Sequence, residues 1–511
     1  MKRDTRHVLV LVAATALTRW AFRSQFLYDI DSVNFALALR RFDPAVHQPH
    51  PPGYFLYVVF GKLLNLLVHD PNTALVAISI AASCGTVAWI HLLASEWFGG
   101  AAARCAGLLF LVSPLAWFHG TVALTYMVEA FFSVLAGYFS WRVYRGAMKC
   151  VFPAAAALAL AAGFRQSSLV TLAPLVLFSF RRAPPRLQLF GLGAFLLILA
   201  AWCIPMLQAA GGMNAYAASL WSLWRLVPAR QTVFTSSLFT SLVRAGMIGW
   251  IYVLCFGSAA LLPLRLFPMR TDRTGVAREI KIFTWTWLLP GLLLFTFVYL
   301  KFVNSGYVLV LLPPVCIWLG NWAADWHHRS PWGKSAKAAL LGSAAAVNCS
   351  IFLFAPFYFS WLQVRRSQQE LAAAVASVRE AANPQDTVIV GFDSHFLGYR
   401  QAGYYLPEYF VVQFPEVPYH SGTGVFTMLN QNTRVLSHLS LDPFRKFLIF
   451  PLPSNEREYL DYLEGVRARF PSGVLRATTH HGVELVRGPA SALGVLFPNT
   501  TFSKHGPSPR E

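Results

Sequence analysis

Residues 54–69 read YFLYVVFGKLLNLLVH, a 16-residue run that is almost wholly apolar but carries Lys62 near its centre. A helix needs about 20 apolar residues to cross a bilayer, with roughly 17 to 25 as the working range. The run falls just short, and whether it crosses or lies along the surface sets the orientation of every helix after it. If it does not cross, one side collects Lys2, Arg3, Arg6, Arg104, Arg142, Arg145, Lys149, Arg181, Arg182, Arg186, the basic residues of 265–281, Arg329, Lys334 and Lys337. That is 18 basic residues against 10 on the other side. Cytoplasmic loops carry the excess of Lys and Arg. The crowded side is therefore expected to be cytoplasmic, and 54–69 to be an amphipathic helix lying on the outer interface.

Composition supports the membrane setting. Of 511 residues 56% are hydrophobic and only 13% charged, with a mean hydropathy of +0.47, which excludes a string of soluble domains. The formal charge of +19 would suggest a polyanion partner in a soluble protein. Its distribution argues otherwise: 28 basic and 10 acidic residues lie up to Trp361, and 14 and 13 after it. The excess belongs to the membrane half, so no nucleic-acid partner is expected. All seven cysteines also precede Trp361, mostly in apolar runs without metal-ligand spacing, and read as small buried hydrophobes.

Apolar runs at about 7–22, 74–95, 105–124, 127–143, 151–165, 168–180, 189–209, 244–264, 282–300, 305–322 and 338–361 give about eleven spans. Arg19, Trp20 and Arg23 stand where a signal-peptide cleavage site would need small residues, so the first run reads as a retained helix. Residues 23–72 and 213–244 become outer loops. The fold class expected is mostly α, a polytopic membrane bundle (1–361) with juxtamembrane helices in the first outer loop, followed by a small extracytoplasmic α/β domain (362–497). In that domain the pattern predicts a helix over 368–382 stopped by Asn383-Pro384, strands over 387–391, 409–414 and 446–450, a helix over 455–470, and a hairpin around His481-Gly482. Residues 498–511 are expected to be a disordered tail.

Acidic residues are scarce in the membrane half, so each is informative. Five of its ten fall on the expected outer side: Asp29, Asp31, Asp43, Asp70 and Glu129. Carboxylates at a membrane surface can serve as general base, cation ligand or cation-path residue. The densest set lies in YDIDSVNFALALRRFDPAVHQPHPPGYFLY, residues 28–57. Asp31 stands just before a helix expected over 32–41, where it could simply be the N-cap; a cap and a chemical role are compatible. His50-Pro51-Pro52-Gly53 forms a rigid turn into the interfacial helix. Arg165 and Gln166 (GFRQSS) form a second polar group, and Lys301, Asn304 and Tyr307 (KFVNSGYVLVLLPP) a third. Their cations could snorkel or bind phosphate. Trp221, Trp224 and Arg225 read first as an interfacial belt, and Asp393-Ser394-His395 as a turn, because triad members converge from separate elements.

An outer loop opening with an Asp motif and short helix, a following Pro-Pro-x-x-Tyr-like element, an acid at the outer end of the third span (ALTYMVEAF) and a Lys…Tyr…Leu-Pro element near a late span resemble the GT-C superfamily. More closely, they resemble bacterial membrane glycosyltransferases of the family 39, protein O-mannosyltransferase and lipid A aminoarabinose-transferase type. The resemblance covers about residues 1–360. It implies that the first-loop base falls on Asp31, with Asp29 the second candidate, and the acid after the third span on Glu129. The family's Lys before the Pro pair falls on His50. Here the family's Asp-Glu pair is Asp31-Ser32, and the residue before Pro51 is a titratable histidine.

The function expected is transfer of a hexosyl or pentosyl group from a polyprenyl-phosphate-linked sugar donor to a hydroxyl acceptor of protein, lipid or glycan. It would take place on the outer face of a bacterial inner membrane, with membrane lipid as partner. Asp31, Asp29 and Glu129 are the catalytic candidates. His50, Arg165, Lys301 and Arg225 are candidates for the donor phosphate, and Tyr54, Gln166 and Tyr307 for other substrate contacts. A donor already attached to lipid needs no nucleotide site, in keeping with the lack of a P-loop. Asp29, Asp31 and Glu129 could share a divalent cation, though their spacing does not demand one. The rivals are a transporter or lipid flippase, which would favour midplane charges and two related halves, and an inactive scaffold whose tail binds an envelope partner.

Overall fold

The computed structural model describes residues 2–226, 232, 234–257, 259–260, 275–297, 302–414, 425–436, 444–451, 475–478 and 481–493. In chain order its helices begin with α1 (Lys2–Ala21), α2 (Ile30–Arg40), α3 (Phe55–Val68), α4 (Pro71–Phe98), α5 (Gly100–Leu111) and α6 (Pro114–His119). Next come α7 (Tyr126–Tyr144), α8 (Val151–Phe164), α9 (Ser167–Phe180), α10 (Pro185–Ala209), α11 (Met213–Leu226), α12 (Leu238–Phe256) and α13 (Gly275–Phe297). A 3₁₀ segment (Phe302–Leu311) leads into α14 (Leu312–Arg329), followed by α15 (Lys334–Phe354) and α16 (Trp361–Ala381). The last part holds β1 (Thr387–Gly391), α17 (Tyr399–Tyr405), β2 (Phe410–Gln413), β3 (Val425–Leu429), β4 (Asn432–Leu436), β5 (Lys446–Ile449), β6 (Leu475–Thr478) and β7 (Glu484–Pro489).

Two compact units result. The first comprises residues 1–24, 54–212 and 227–363. Among the described residues, five of its helical segments are long and apolar enough to cross a membrane: 71–98, 185–209, 238–256, 304–329 and 334–354. Others are shorter: α8 and α9 have 14 residues each, roughly 21 Å of helix at 1.5 Å per residue. On α10 the side chains of Leu189, Phe190, Leu192, Leu196 and Leu197 are exposed, a face suited to hydrocarbon rather than water. The α3 helix has two faces: Tyr57, Val58 and Gly61 are buried, while Phe60, Leu63, Leu66 and Leu67 are exposed. Between α5 and α14 the backbones approach closely, because a Cβ on Gly320 would lie 2.5 Å from the Ala106 nitrogen. Small residues permit such contacts where burial of apolar surface gives little drive between helices.

One expected span is broken. Residues 105–124 do not form one helix: α5 stops at Leu111 and α6 starts at Pro114. Proline lacks the N–H that the continuing ladder needs, and its ring opposes the preceding turn. Ser113 instead caps the new helix by accepting from the Ala116 N–H.

The second unit comprises residues 25–53, 213–226 and 364–511. Its core is a seven-stranded sheet in the order β4-β3-β2-β1-β5-β7-β6. The central β1 runs parallel to β2 and β5, and the other pairings are antiparallel. Because β1 is covered on both faces, all five of its residues are buried, as the unbroken apolar run Val388-Ile389-Val390 implies. Val388, Val390, Phe410, Val412, Phe447 and Ile449 join one hydrophobic cluster. The expected strands at 387–391, 409–414 and 446–450 correspond to β1, β2 and β5 within a residue at each end, and the expected hairpin to β6 and β7. The helix expected over 368–382 begins earlier, at Trp361. The helix expected over 455–470 lies outside the described residues.

Several contacts tie the first loop to the sheet and its helix α17 within the unit. The buried Arg400 guanidinium donates to the Thr433 hydroxyl at 2.8 Å and to the Val46 carbonyl at 2.8 Å. Gln48 also donates to Thr433, at 2.9 Å. The Leu27 N–H donates to the Tyr405 hydroxyl at 2.9 Å.

Candidate active site

The acidic end of the first loop is built around a helix start. Asp29 is the N-cap of α2, and its Oδ1 accepts the Asp31 N–H at 2.8 Å. Sequence reading allowed Asp31 itself to be the cap of a helix over 32–41. The cap instead falls two residues earlier, because the helix already begins at Ile30, and this leaves Asp31 in the first turn. There the positive end of the helix dipole favours a negative charge. On its other side the loop closes on itself: Asp43 and Gln48 exchange backbone hydrogen bonds of 2.6 and 2.9 Å. The next turn carries His50, whose Nδ1 lies 3.1 Å from Asp31 Oδ1.

A second histidine joins this group from the sheet domain. Ile30 donates its N–H to the His395 carbonyl at 2.7 Å, and Gln401 donates to the same oxygen at 3.1 Å. His395 Nδ1 faces Asp29 Oδ2 at 3.7 Å, an ion pair rather than a hydrogen bond. The His395 side chain is 46% exposed; partial desolvation opposes the charged imidazole, but contact with Asp29 and the charges of Asp31 and Asp393 outweigh it and raise its pKa to about 9. Asp393 is pushed above the usual carboxylate range by burial and by Asp31, against the pull of His395 and Arg400. The Asp393-Ser394-His395 stretch is a turn as expected, with Ser394 Oγ accepting from the Phe396 and Leu397 N–H groups. Its histidine was missed as a site residue, since the contact to Asp29 spans 366 positions and leaves no local mark.

Glu129 and Arg165 meet in the first unit. Glu129 stands in the first turn of α7 and Arg165 in the break between α8 and α9, at 1% and 4% exposure. Arg165 Nε lies 3.0 Å from Glu129 Oε2. Ser167 and Ser168 donate to Glu129 Oε1 at 3.1 and 3.2 Å, and Arg165 donates to the Thr125 hydroxyl at 2.6 Å. The guanidinium also lies over three tyrosine rings, Tyr307 at 4.2 Å, Tyr126 at 4.3 Å and Tyr54 at 5.6 Å. Arg165 is therefore not a snorkelling side chain: its charge is held inside, with a carboxylate on one side and π faces on the other. Beside it, the buried His119 ring packs edge-on against Tyr126 at 4.8 Å. Neither His119 nor Tyr126 was marked by sequence, because single aromatic residues in an apolar run look like ordinary packing.

The remaining candidates are placed as follows. Gln166 adjoins Arg165 at the start of α9 and donates to the Met206 sulfur at 3.9 Å. Arg225 is exposed on α11 and stacks over Trp221 at 4.7 Å. Lys301 lies outside the described residues. Among the described residues no group of three or more His, Cys, Asp or Glu side chains is arranged to hold a metal ion. Asp29 has one oxygen on the Asp31 N–H and the other facing His395. A cationic imidazole there disfavours a metal ion.

No protein-family model matches the chain, and no curated protein matches it significantly. Solved structures do. The crystal structure of ArnT from Cupriavidus metallidurans bound to undecaprenyl phosphate superposes with a TM-score of 0.59 at 13% sequence identity. The match covers 95% of this chain and 98% of that one. The apo state of the same enzyme gives 0.57 at 12% identity, covering 96% and 99%. Over nearly its whole length the chain shares the fold of ArnT.

Proposed function

We propose that this protein is a membrane glycosyltransferase that takes a hexosyl or pentosyl group from a polyprenyl-phosphate donor and passes it to a hydroxyl acceptor. The observation that carries the reading is the near full-length likeness to ArnT, which was crystallised with undecaprenyl phosphate. The protein would lie in the plasma membrane, with the reaction on the outer face, as the distribution of basic loops implies.

In this reading Asp31 is the base. As the acceptor oxygen attacks the anomeric carbon, the hydroxyl proton passes to the Asp31 carboxylate. The new C–O bond forms opposite the breaking C–O bond to phosphate, and the bonding pair leaves with the lipid phosphate, inverting the anomeric centre. Its position in the first turn of α2 and the neighbouring His50 Nδ1 support the assignment. His50 orients the base through Nδ1 and is a candidate contact for the donor phosphate. Arg165 supplies positive charge to the leaving phosphate, with Glu129 fixing the guanidinium plane and Tyr54 and Tyr307 its faces. Gln166 contributes a further polar contact to the donor.

The test is transfer from a panel of radiolabelled polyprenyl-phosphate sugars by the purified protein in lipid nanodiscs. Asp31→Asn is expected to lose about 10²- to 10⁴-fold in rate while inserting into the membrane normally. Full activity in that variant would sink Asp31 as base. Failure of every donor with the wild-type protein would sink the glycosyltransferase reading.

A further inference from the structure

Nothing in the reaction written above uses His395, yet its backbone and its side chain both bear on the start of α2. Its carbonyl accepts the Ile30 N–H at 2.7 Å, which pins the residue beside the helix end. The imidazole then faces Asp29 Oδ2 at 3.7 Å, while the other oxygen of Asp29 accepts the Asp31 N–H at 2.8 Å. One carboxylate thus bridges the histidine and the backbone of the proposed base. We propose that His395 is a positioning residue for glycosyl transfer: as an imidazolium it holds Asp29, and through Asp29 it holds the first turn of α2, so that Asp31 presents an oriented carboxylate to the acceptor hydroxyl. The inference rests on the reading of Asp31 as base.

The charges around the imidazole give it a second effect. Asp29, Asp31 and Asp393 act on it together, Arg400 offsets part of the Asp393 charge, and His50 faces Asp31. A cation among three neighbouring carboxylates offsets their mutual repulsion. The His395 imidazole is raised to about 9, so it is a cation throughout the neutral range and loses that charge above it. In the transfer step the acceptor proton goes to Asp31 and the electron pair leaves with the phosphate. His395 exchanges no proton; it keeps Asp31 fixed in direction.

The experiment is the pH dependence of kcat and KM for the full-length protein in nanodiscs with a radiolabelled polyprenyl-phosphate sugar. It compares wild type, His395→Asn, His395→Lys and Asp31→Asn. His395→Asn is expected to lose on the order of 10²-fold in kcat, the scale of a misplaced catalytic group, with donor KM little changed and the alkaline fall absent. Wild-type activity should fall as pH rises through about 9. His395→Lys should keep most of kcat and carry that fall to higher pH, because a lysine stays charged longer. Wild-type kcat and an unchanged alkaline fall in His395→Asn would overturn the proposal. So would equal loss in the Asn and Lys variants with the alkaline fall unmoved, which would make His395 a structural residue only. If Asp31→Asn is inactive while His395→Asn behaves as wild type, this inference alone falls. A fully active Asp31→Asn removes the base assignment and the inference with it.

Discussion

Glu129 and Arg165 place opposite charges 3.0 Å apart with almost no exposure. Desolvating two charges is costly, and removal of one partner leaves the other uncompensated, typically at about 3 to 5 kcal/mol. Glu129→Gln and Arg165→Met are each expected to lower stability on that scale. The double variant should recover most of the loss and still fail in transfer, which thermal melts and donor turnover on the same samples would separate. His395 makes a stability prediction of its own. Its pKa is raised from 6.5 to about 9 in the folded protein, so its contribution is fully present below pH 6.5 and is lost as pH rises through about 9. Melting temperature should therefore fall between these pH values in the wild type, and by less in His395→Asn.

The α2 helix depends on its N-cap, Asp29. Replacing a capping Asp by Ala costs about 1 kcal/mol, whereas Ser keeps the cap. Asp29→Ala should accelerate amide exchange in the first turn of α2, and Asp29→Ser should not. If the charge on Asp29 matters through His395, both should lose transfer. Local pattern suffices to read elements of this kind: an Asp before an apolar periodic run marks α2, a continuous β-branched run marks β1, and a short apolar run marks β5. It fails where one residue changes a continuous run, as Pro114 does by dividing 105–124 into α5 and α6. It fails again for the β3–β4 pair, whose turn at Asn430-Gln431 adopts positive φ without a glycine. Of the site, the carboxylates and Arg165 were legible through their rarity in apolar surroundings. His395 was not, because its significance comes only from a residue far away in the chain.

At the scale of the molecule, the second unit is assembled from three separated stretches, 25–53, 213–226 and 364–511. The buried Arg400 ties the last of these to the first, donating to the Thr433 hydroxyl and to the Val46 carbonyl. Arg400→Met should leave membrane insertion intact but expose 25–53 to limited proteolysis, read by mass spectrometry of the fragments. Transfer should fall in parallel, since Asp29, Asp31 and His50 all lie in that stretch.

The tie from Val46 to Arg400 spans 354 positions, and the one from Gln48 to Thr433 spans 385. At a ribosomal rate of about 5 to 20 residues per second, the first loop waits roughly 20 to 70 seconds after its own synthesis for the strands and helix that hold it. Until then Asp29 lacks its contact with His395. A chain interrupted before its final third would carry the carboxylates of the first loop without the residues that hold that loop in place.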